Sequence, residues 1–164
     1  MKQFDYIIVG AGSAGCLLAN RLSANPENQV LLLEAGGKNT HLNIQTPAAF
    51  YKLFRTKYDW NYDSVPQVHM NNRPMFQPRG KTLGGCSSIN AMIYIRGHKS
   101  DYDTWADLGN KGWSYKEVLP YFKRFEANER LSDTYHGTEG ELNISDHQTR
   151  NILSEKLVEA AQQA

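Results

Sequence analysis

An α/β fold of Rossmann type is predicted by three stretches near the start of this 164-residue chain. An apolar run, Phe4-Asp5-Tyr6-Ile7-Ile8-Val9, breaks into Gly10-Ala11-Gly12-Ser13-Ala14-Gly15, and Cys16 to Leu22 then has helical character. A second apolar run, Val30-Leu31-Leu32-Leu33, ends on Glu34. Strand, glycine turn, helix and acid-ended strand make one βαβ unit with the spacing of a dinucleotide site.

Each part of that unit has a physical task. Gly10 allows the tight turn out of the strand. Gly12 has no side chain to hold a pyrophosphate away, and Gly15 lets the helix pack close to the strand. The helix N-terminus, with Ser13 and Ala14, offers unpaired N–H groups and the positive end of its dipole to phosphates. Glu34 stands 19 residues after Gly15 and can accept hydrogen bonds from ribose hydroxyls. Of two rivals, one fails here. Ala11-Gly12-Ser13-Ala14-Gly15 nearly reads as a nucleophile elbow, but its first glycine is Ala11, and Gly10 and Glu34 would then have no role. A glycine-rich packing turn in a βαβ unit without ligand stays open as the alternative.

The next elements follow from turn and helix signals. Asn25-Pro26-Glu27-Asn28 is a turn before the second strand. After Gly36-Gly37 no third βαβ unit follows, and Thr40 to Pro78 is irregular, with four prolines and aromatics clustered from Phe50 to Tyr62. Ala48 to Phe54 fits a short helix, and the rest fits an extended excursion of the kind that forms lids. Its aromatics either pack the excursion or meet a ligand.

A second small-residue stretch runs Arg79-Gly80-Lys81-Thr82-Leu83-Gly84-Gly85-Cys86-Ser87-Ser88-Ile89-Asn90. Gly80-Lys81-Thr82 imitates a Walker A ending, but Met75 stands where that loop needs glycine, and Pro74 and Pro78 precede it. What remains is a loop suited to close backbone approach to a phosphate or flat ring, followed by the apolar segment Ile89 to Ile95. Ser100 reads as the N-cap of a helix through Trp105. Ser114 with Glu117 reads as a capping box for a helix carrying Val118, Leu119, Phe122 and Phe125 on its core stripe, with Pro120 expected to interrupt it. Gly137 to Gly140 is a turn, Leu142 to Ile144 a short strand, and Asn151 to Ala164 an amphipathic helix that stops without a cap.

Composition removes several function classes. Net charge is +1 with no basic patch, so no nucleic-acid partner is expected. Two cysteines without a C-x-x-C pair predict no disulfide scaffold, and Cys16 reads as a small buried residue. The five histidines are scattered, so no metal site is expected. The longest apolar run near the N-terminus is too short for a signal or membrane span, and a cytoplasmic location is the default expectation. Asn143-Ile144-Ser145 matches a glycosylation sequon, a chance match without a secretion signal.

Both glycine stretches together resemble the glucose–methanol–choline (GMC) oxidoreductases. Further motifs carry the resemblance in the family's order: Leu32-Leu33-Glu34-Ala35-Gly36-Gly37, Asp59-Trp60-Asn61-Tyr62, Gly112-Trp113-Ser114-Tyr115, Val118-Leu119-Pro120-Tyr121-Phe122, and Gly140-Glu141-Leu142. It is nearest the bacterial choline-dehydrogenase and alcohol-dehydrogenase branch. The resemblance implies an incomplete FAD-binding domain of GMC type: residues 1–38 as the first βαβ unit, 39–79 as excursion and flavin lid, 80–135 as extended FAD-binding domain, and 136–164 as the start of a substrate domain.

It implies FAD as cofactor, with Gly10, Gly12, Ser13, Ala14 and Gly15 at the pyrophosphate and Glu34 and Ala35 at the adenosine ribose. Leu83, Gly84, Cys86, Asn90, Ala91, Met92 and Ile93 would follow the pyrophosphate, ribityl chain and flavin, and Trp60 would lie in the lid near the cofactor. Some relatives attach FAD to a histidine directly before the asparagine. That position is Ile89 here, so the flavin is expected to be non-covalent. The implied reaction oxidises a small alcohol to a carbonyl by hydride transfer, with quinone, another acceptor or oxygen taking the electrons. A quinone-coupled relative would associate peripherally with the inner membrane. The family's catalytic histidine lies near the C-terminus of longer chains, so no catalytic residue is assigned between Met1 and Ala164. A truncated, non-catalytic dinucleotide-binding remnant is the alternative, and the 164-residue chain is expected neither to fold stably nor to bind FAD well alone.

Overall fold

The computed structural model describes residues 2–147, 149 and 151–163. It divides into two compact units, Met1–Ile93 and Tyr94–Ala164.

The first unit is built on the expected βαβ motif. Strand β1 (Tyr6–Val9) pairs in parallel with β2 (Val30–Leu33), in register from Tyr6 opposite Val30 to Val9 opposite Leu33. Helix α1 (Ser13–Leu22) returns the chain between them. It begins three residues before the expected Cys16, because Gly12 already occupies the N-cap position in extended conformation, with no side chain to cap, and the Cys16 N–H reaches the Gly12 carbonyl at 2.9 Å. Among the described residues this sheet has two strands, and Ile7 and Val9 are 60% and 84% exposed.

Cys16, expected to be buried, is exposed. The contact of α1 with the strand is made through Gly15, and Cys16 is turned aside with its thiol 3.2 Å from the Ala11 carbonyl oxygen. The core of the unit is instead Ala11, Ala49, Leu53 and Ile89, with Thr82 and Asp59 as buried polar groups.

The excursion carries more structure than its prolines suggest. A short helix α2 (Leu42–Gln45) precedes a 3₁₀ helix Pro47–Leu53, close to the expected Ala48 to Phe54. Strands β3 (Tyr62–Asp63) and β4 (Phe76–Gln77) then pair antiparallel and project a hairpin arm. Its tip turns through Asn71 and Asn72, at φ of +56° and +55°. Asparagine tolerates that left-handed region better than most residues. Phe50, Phe54 and Phe76 meet edge to face, so part of the aromatic cluster packs the base of the arm.

In the second unit, α3 (Lys99–Asp107) is capped by His98 and not by Ser100. The His98 ring nitrogen Nδ1 accepts the Ser100 N–H and lies 2.8 Å from the Ser100 hydroxyl, which places Ser100 inside the first turn. Helix α4 (Tyr115–Phe125) opens on the expected capping box, where the Glu117 carboxylate accepts the Ser114 N–H and hydroxyl. It continues through Pro120. The missing N–H would have met the Lys116 carbonyl, and both residues are exposed, so water can satisfy that oxygen. Along the expected stripe Val118 is buried, while Phe125 remains 39% exposed.

Strand β5 (Glu126–Asn128) has no strand signal in its sequence, yet it pairs in parallel with β6 (Leu142–Ile144). Side-chain bonding holds it there. The fully buried Glu126 carboxylate is ion-paired with Arg96 and accepts a hydrogen bond from Asn128 at 2.8 Å. Gly137 and Gly140 permit the return loop, since a Cβ there would lie 1.9 Å from the Lys123 oxygen and 2.1 Å from the Phe125 carbonyl carbon. Helix α5 (Ile152–Gln163) follows; the expected end at Ala164 lies outside the described residues. Among the described residues, no helix is long and apolar enough to cross a membrane.

Candidate functional site

The site forms where β1 gives way to α1. Gly10 makes the turn at φ +98°, and its N–H bonds the Leu33 carbonyl at 2.7 Å. Ala11 is fully buried, and its N–H donates to Glu34 Oε2 at 2.8 Å. The other Glu34 oxygen accepts the Gly36 N–H at 2.8 Å. One carboxylate therefore ties the glycine turn to the loop that leaves β2. Each of its oxygens retains acceptor capacity for an outside donor.

Gly12 and Gly15 differ in what they require. A Cβ on Gly15 would lie 1.9 Å from the Gly10 oxygen, so protein packing alone demands glycine there. A Cβ on Gly12 would meet nothing within 4 Å, and its φ of −81° suits any residue. Neither packing nor backbone conformation calls for glycine at 12. The space beside it leads to the start of α1, whose first turn carries no acidic side chain. There the Ser13, Ala14 and Gly15 N–H groups have no carbonyl partner within the helix. An uncapped helix N-terminus behind an open glycine is a cradle for an anion such as a pyrophosphate.

The second small-residue stretch closes one side of this cradle. The Thr82 hydroxyl and the Leu83 N–H both donate to the Gly37 oxygen at 2.9 Å, and Gly84 N–H donates to the Ala11 oxygen at 2.8 Å. Gly84 and Gly85 adopt φ of +88° and +55°, and a Cβ on Gly85 would lie 2.9 Å from the Gly12 Cα. Residues far apart in sequence thus meet at one place: Gly10 to Gly15, Glu34, and Gly84.

Other expected positions lie in the same stretches but more loosely. Ala35, Leu83 and Cys86 are exposed beside the loops. Asn90, Ala91, Met92 and Ile93 form an exposed segment in which the Asn90 side chain accepts the Met92 N–H at 2.9 Å and holds Met92 at φ +55°. Among the described residues no hydrogen bond joins these four to the glycine turn.

Four residues that the sequence motifs contain, but to which no site role was assigned, shape the site. A Cβ on Gly36 would lie 2.0 Å from the Lys81 oxygen, and Gly85 and Thr82 make the contacts above. Asp59 is 3% exposed and accepts N–H bonds from Arg55 and Arg79 at 3.0 Å and Asn61 at 3.1 Å. Burial raises its pKa, but those three donors, with the Arg55 charge, hold the carboxyl below the usual carboxylate range. The doubled glycines signalled the first two; the buried acid has no local signal beyond its place before Trp60. Trp60 stacks on Tyr62 with Lys81 Nζ 4.6 Å from its ring.

A model of the GMC oxidoreductase N-terminal region matches residues 4–164. The chain belongs to the GMC oxidoreductase family. GMC oxidoreductases are flavoproteins, and this chain has the fold of their N-terminal FAD-binding domain. It is 51% identical over 164 residues to an alcohol dehydrogenase [acceptor] of Pseudomonas putida and 48% identical to an oxygen-dependent choline dehydrogenase of Sinorhizobium fredii. In each case it covers 99% of this chain and 30% of the relative, so the chain spans about a third of the length of these GMC proteins.

Solved GMC structures agree. Pyridoxine 4-oxidase from Mesorbium loti superposes with a TM-score of 0.89 at 39% identity, covering 98% of this chain and 32% of that one. An FAD-dependent oxidoreductase from Chaetomium thermophilum gives 0.84 at 35% identity, covering 98% and 29%. Among the described residues, no three His, Cys, Asp or Glu side chains could hold a metal ion. His98 caps α3, and the His136 ring lies 2.8 Å from Asp133, so both are engaged structurally.

Proposed function

We propose that this chain is the FAD cradle of an oxidoreductase that acts on the CH–OH group of a small alcohol. The single observation that carries the reading is Gly12, a glycine that neither packing nor conformation requires, facing the uncapped start of α1. In this reading Ser13 and Ala14 donate their N–H groups to the pyrophosphate, and Glu34 offers its free lone pairs to the adenosine ribose. Ala35, Leu83, Gly84, Cys86 and Asn90 to Ile93 border the remainder of the cofactor. Bound FAD supplies a hydride acceptor for the alcohol carbon.

Ile89 supports a non-covalent flavin, because an aliphatic side chain, here 2% exposed, has no nucleophile to join the ring. No residue between Met1 and Ala164 is assigned as the base. The division into a first βαβ unit at 1–38, a lid at 39–79, an extended cofactor domain at 80–135 and the start of a substrate domain at 136–164 belongs to the same proposal. So do an alcohol such as choline as substrate, and quinone, oxygen or another electron acceptor. Peripheral association with a membrane would accompany a quinone acceptor.

The test is made on the intact gene product. Acid precipitation is expected to leave yellow flavin in the supernatant, and anaerobic addition of choline or a simple primary alcohol is expected to bleach the flavin spectrum. Flavin retained in the pellet overturns the non-covalent assignment. A colourless protein whose fluorescence is unmoved by added FAD overturns the cradle itself. Binding without bleaching by any alcohol leaves a dinucleotide-binding module without turnover.

A further inference from the structure

We propose that Asp59 is a positioning residue for the cofactor: its buried carboxylate fastens the root of the hairpin arm to the segment that closes the cradle. The inference rests on the FAD reading above and concerns a residue that stands outside the cradle.

Asp59 lies between two residues in left-handed conformation, Arg55 at φ +59° and Asn61 at φ +58°. Arginine rarely adopts that region. Each of the two donates its N–H to the Asp59 carboxylate, Arg55 to Oδ2 and Asn61 to Oδ1. Oδ1 also accepts from Arg79, 20 residues on in the sequence. One side chain therefore holds an unfavourable turn and pins the start of the second glycine stretch. A buried charged acceptor with three donors is costly to remove, because the donors are left without partners.

From Arg79 a continuous run of backbone pairing leads to the glycine turn. Trp60 N–H bonds the Arg79 oxygen at 2.9 Å and Lys81 N–H bonds the Tyr58 oxygen at 2.8 Å. The next residues, Thr82 and Leu83, bond Gly37, and Gly84 bonds Ala11. The path has little slack. A Cβ on Gly36 or on Gly80 would lie 2.0 Å from a backbone oxygen of this segment, so it cannot slide sideways without losing contact. Displacing Arg79 therefore moves the wall that Gly84 and Gly85 present beside Gly12. The Arg55–Asp63 ion pair, by contrast, is half exposed and links the Arg55 side chain to β3 without touching the backbone pairing from Arg79 to Gly84.

The experiment compares Asp59→Ala, Asp59→Asn and Asp63→Asn in the intact gene product stripped of flavin. FAD affinity is read by fluorescence titration, and amide hydrogen exchange is read across residues 79–88. Asp59→Ala is expected to bind FAD at least about tenfold more weakly, the loss of one hydrogen bond to a charged group, and to exchange faster at Arg79 and Gly84. Asp59→Asn is expected to fall between, since its Oδ1 can still serve Arg79 and Asn61 while its amide opposes the Arg55 N–H. Asp63→Asn should match the parent protein.

If Asp59→Ala does not fold, Asp59→Asn decides the matter on the same two readings. Parental FAD affinity in a folded Asp59 variant, or unchanged protection at residues 79–84, overturns the proposal. So does an equal loss in Asp63→Asn. If the parent protein binds no FAD, the cofactor reading fails, while the exchange measurement still decides whether Asp59 anchors the segment.

Discussion

Substituting Gly15 and Gly12 separately divides what the fold needs from what the cofactor needs. In Gly15→Ala the new Cβ meets the Gly10 oxygen at 1.9 Å, and ordinary contact begins near 3.4 Å. Helix α1 must therefore retreat from β1 by about 1.5 Å, because the obstacle is backbone and cannot rotate away. Overpacking of that kind costs about 1–3 kcal/mol, which lowers the melting temperature of the flavin-free protein. The retreat also carries the N–H groups of Ser13 and Ala14 away from the turn, so FAD binding weakens together with stability.

Gly12→Ser behaves oppositely. Its Cβ enters open space, and serine is a better N-cap than glycine by a few tenths of a kcal/mol. The flavin-free protein should melt at or slightly above the parent temperature. The new hydroxyl caps the N–H groups that a phosphate would use and fills the space beside them, so FAD affinity drops. Thermal denaturation of the flavin-free protein and an FAD titration of each variant give the four values needed. Parental FAD affinity in Gly12→Ser would refute the reasoning, as would a parental melting temperature in Gly15→Ala.

Thr82→Val removes the hydroxyl that donates to the Gly37 oxygen from a fully buried position, and should cost about 1 kcal/mol by urea denaturation. Asp59 has a depressed pKa in the folded state, so its contribution is complete above the ordinary carboxylate value of about 3.9 and is lost as pH falls through the lower folded value. Acid titration followed by tryptophan fluorescence should therefore show a shallower loss of stability below that value in Asp59→Asn than in the parent. Residues 1–164 expressed alone leave Ile7 and Val9 of a two-stranded sheet exposed, and light scattering should show concentration-dependent association; a monodisperse, flavin-bound monomer would contradict this.

The glycine turn, its helix and the acid-ended strand were legible in the sequence because their roles are local: a turn at Gly10, a contact at Gly15, a spacing to Glu34. Gly85 and Thr82 were harder to read. Their function depends on a partner in another segment, and no periodicity in their own neighbourhood announces Gly12 or Gly37. Asp59 shows the limit most clearly, since an acid before an aromatic residue reads as surface and only the fold reveals three backbone donors around it. The cap of α3 was misplaced at Ser100 for a related reason: His98, two residues earlier, starts the helix by accepting the Ser100 N–H on its ring nitrogen, which puts Ser100 inside the first turn. Strand β5 was invisible because Glu126 and Asn128 are poor strand formers, held in place by Arg96 and by glycines that follow.

The same dependence gives the cradle its shape. Glu34 could serve a ribose only if it were held at the turn, and its two oxygens are already held there by the Ala11 and Gly36 N–H groups. Ala11 in turn receives Gly84 through its carbonyl, so the acid, the turn and the second glycine stretch fix one another through a single buried residue. Preorganisation of this kind reduces the ordering cost of binding. It also places the most sensitive positions where the backbone groups are joined. Under the proposed function, a change at Glu34 would disturb the loop as well as a ribose contact, whereas a change at Gly12 would disturb the cofactor alone. Of all the residues in the turn, Gly12 is therefore the one whose identity speaks for a cofactor.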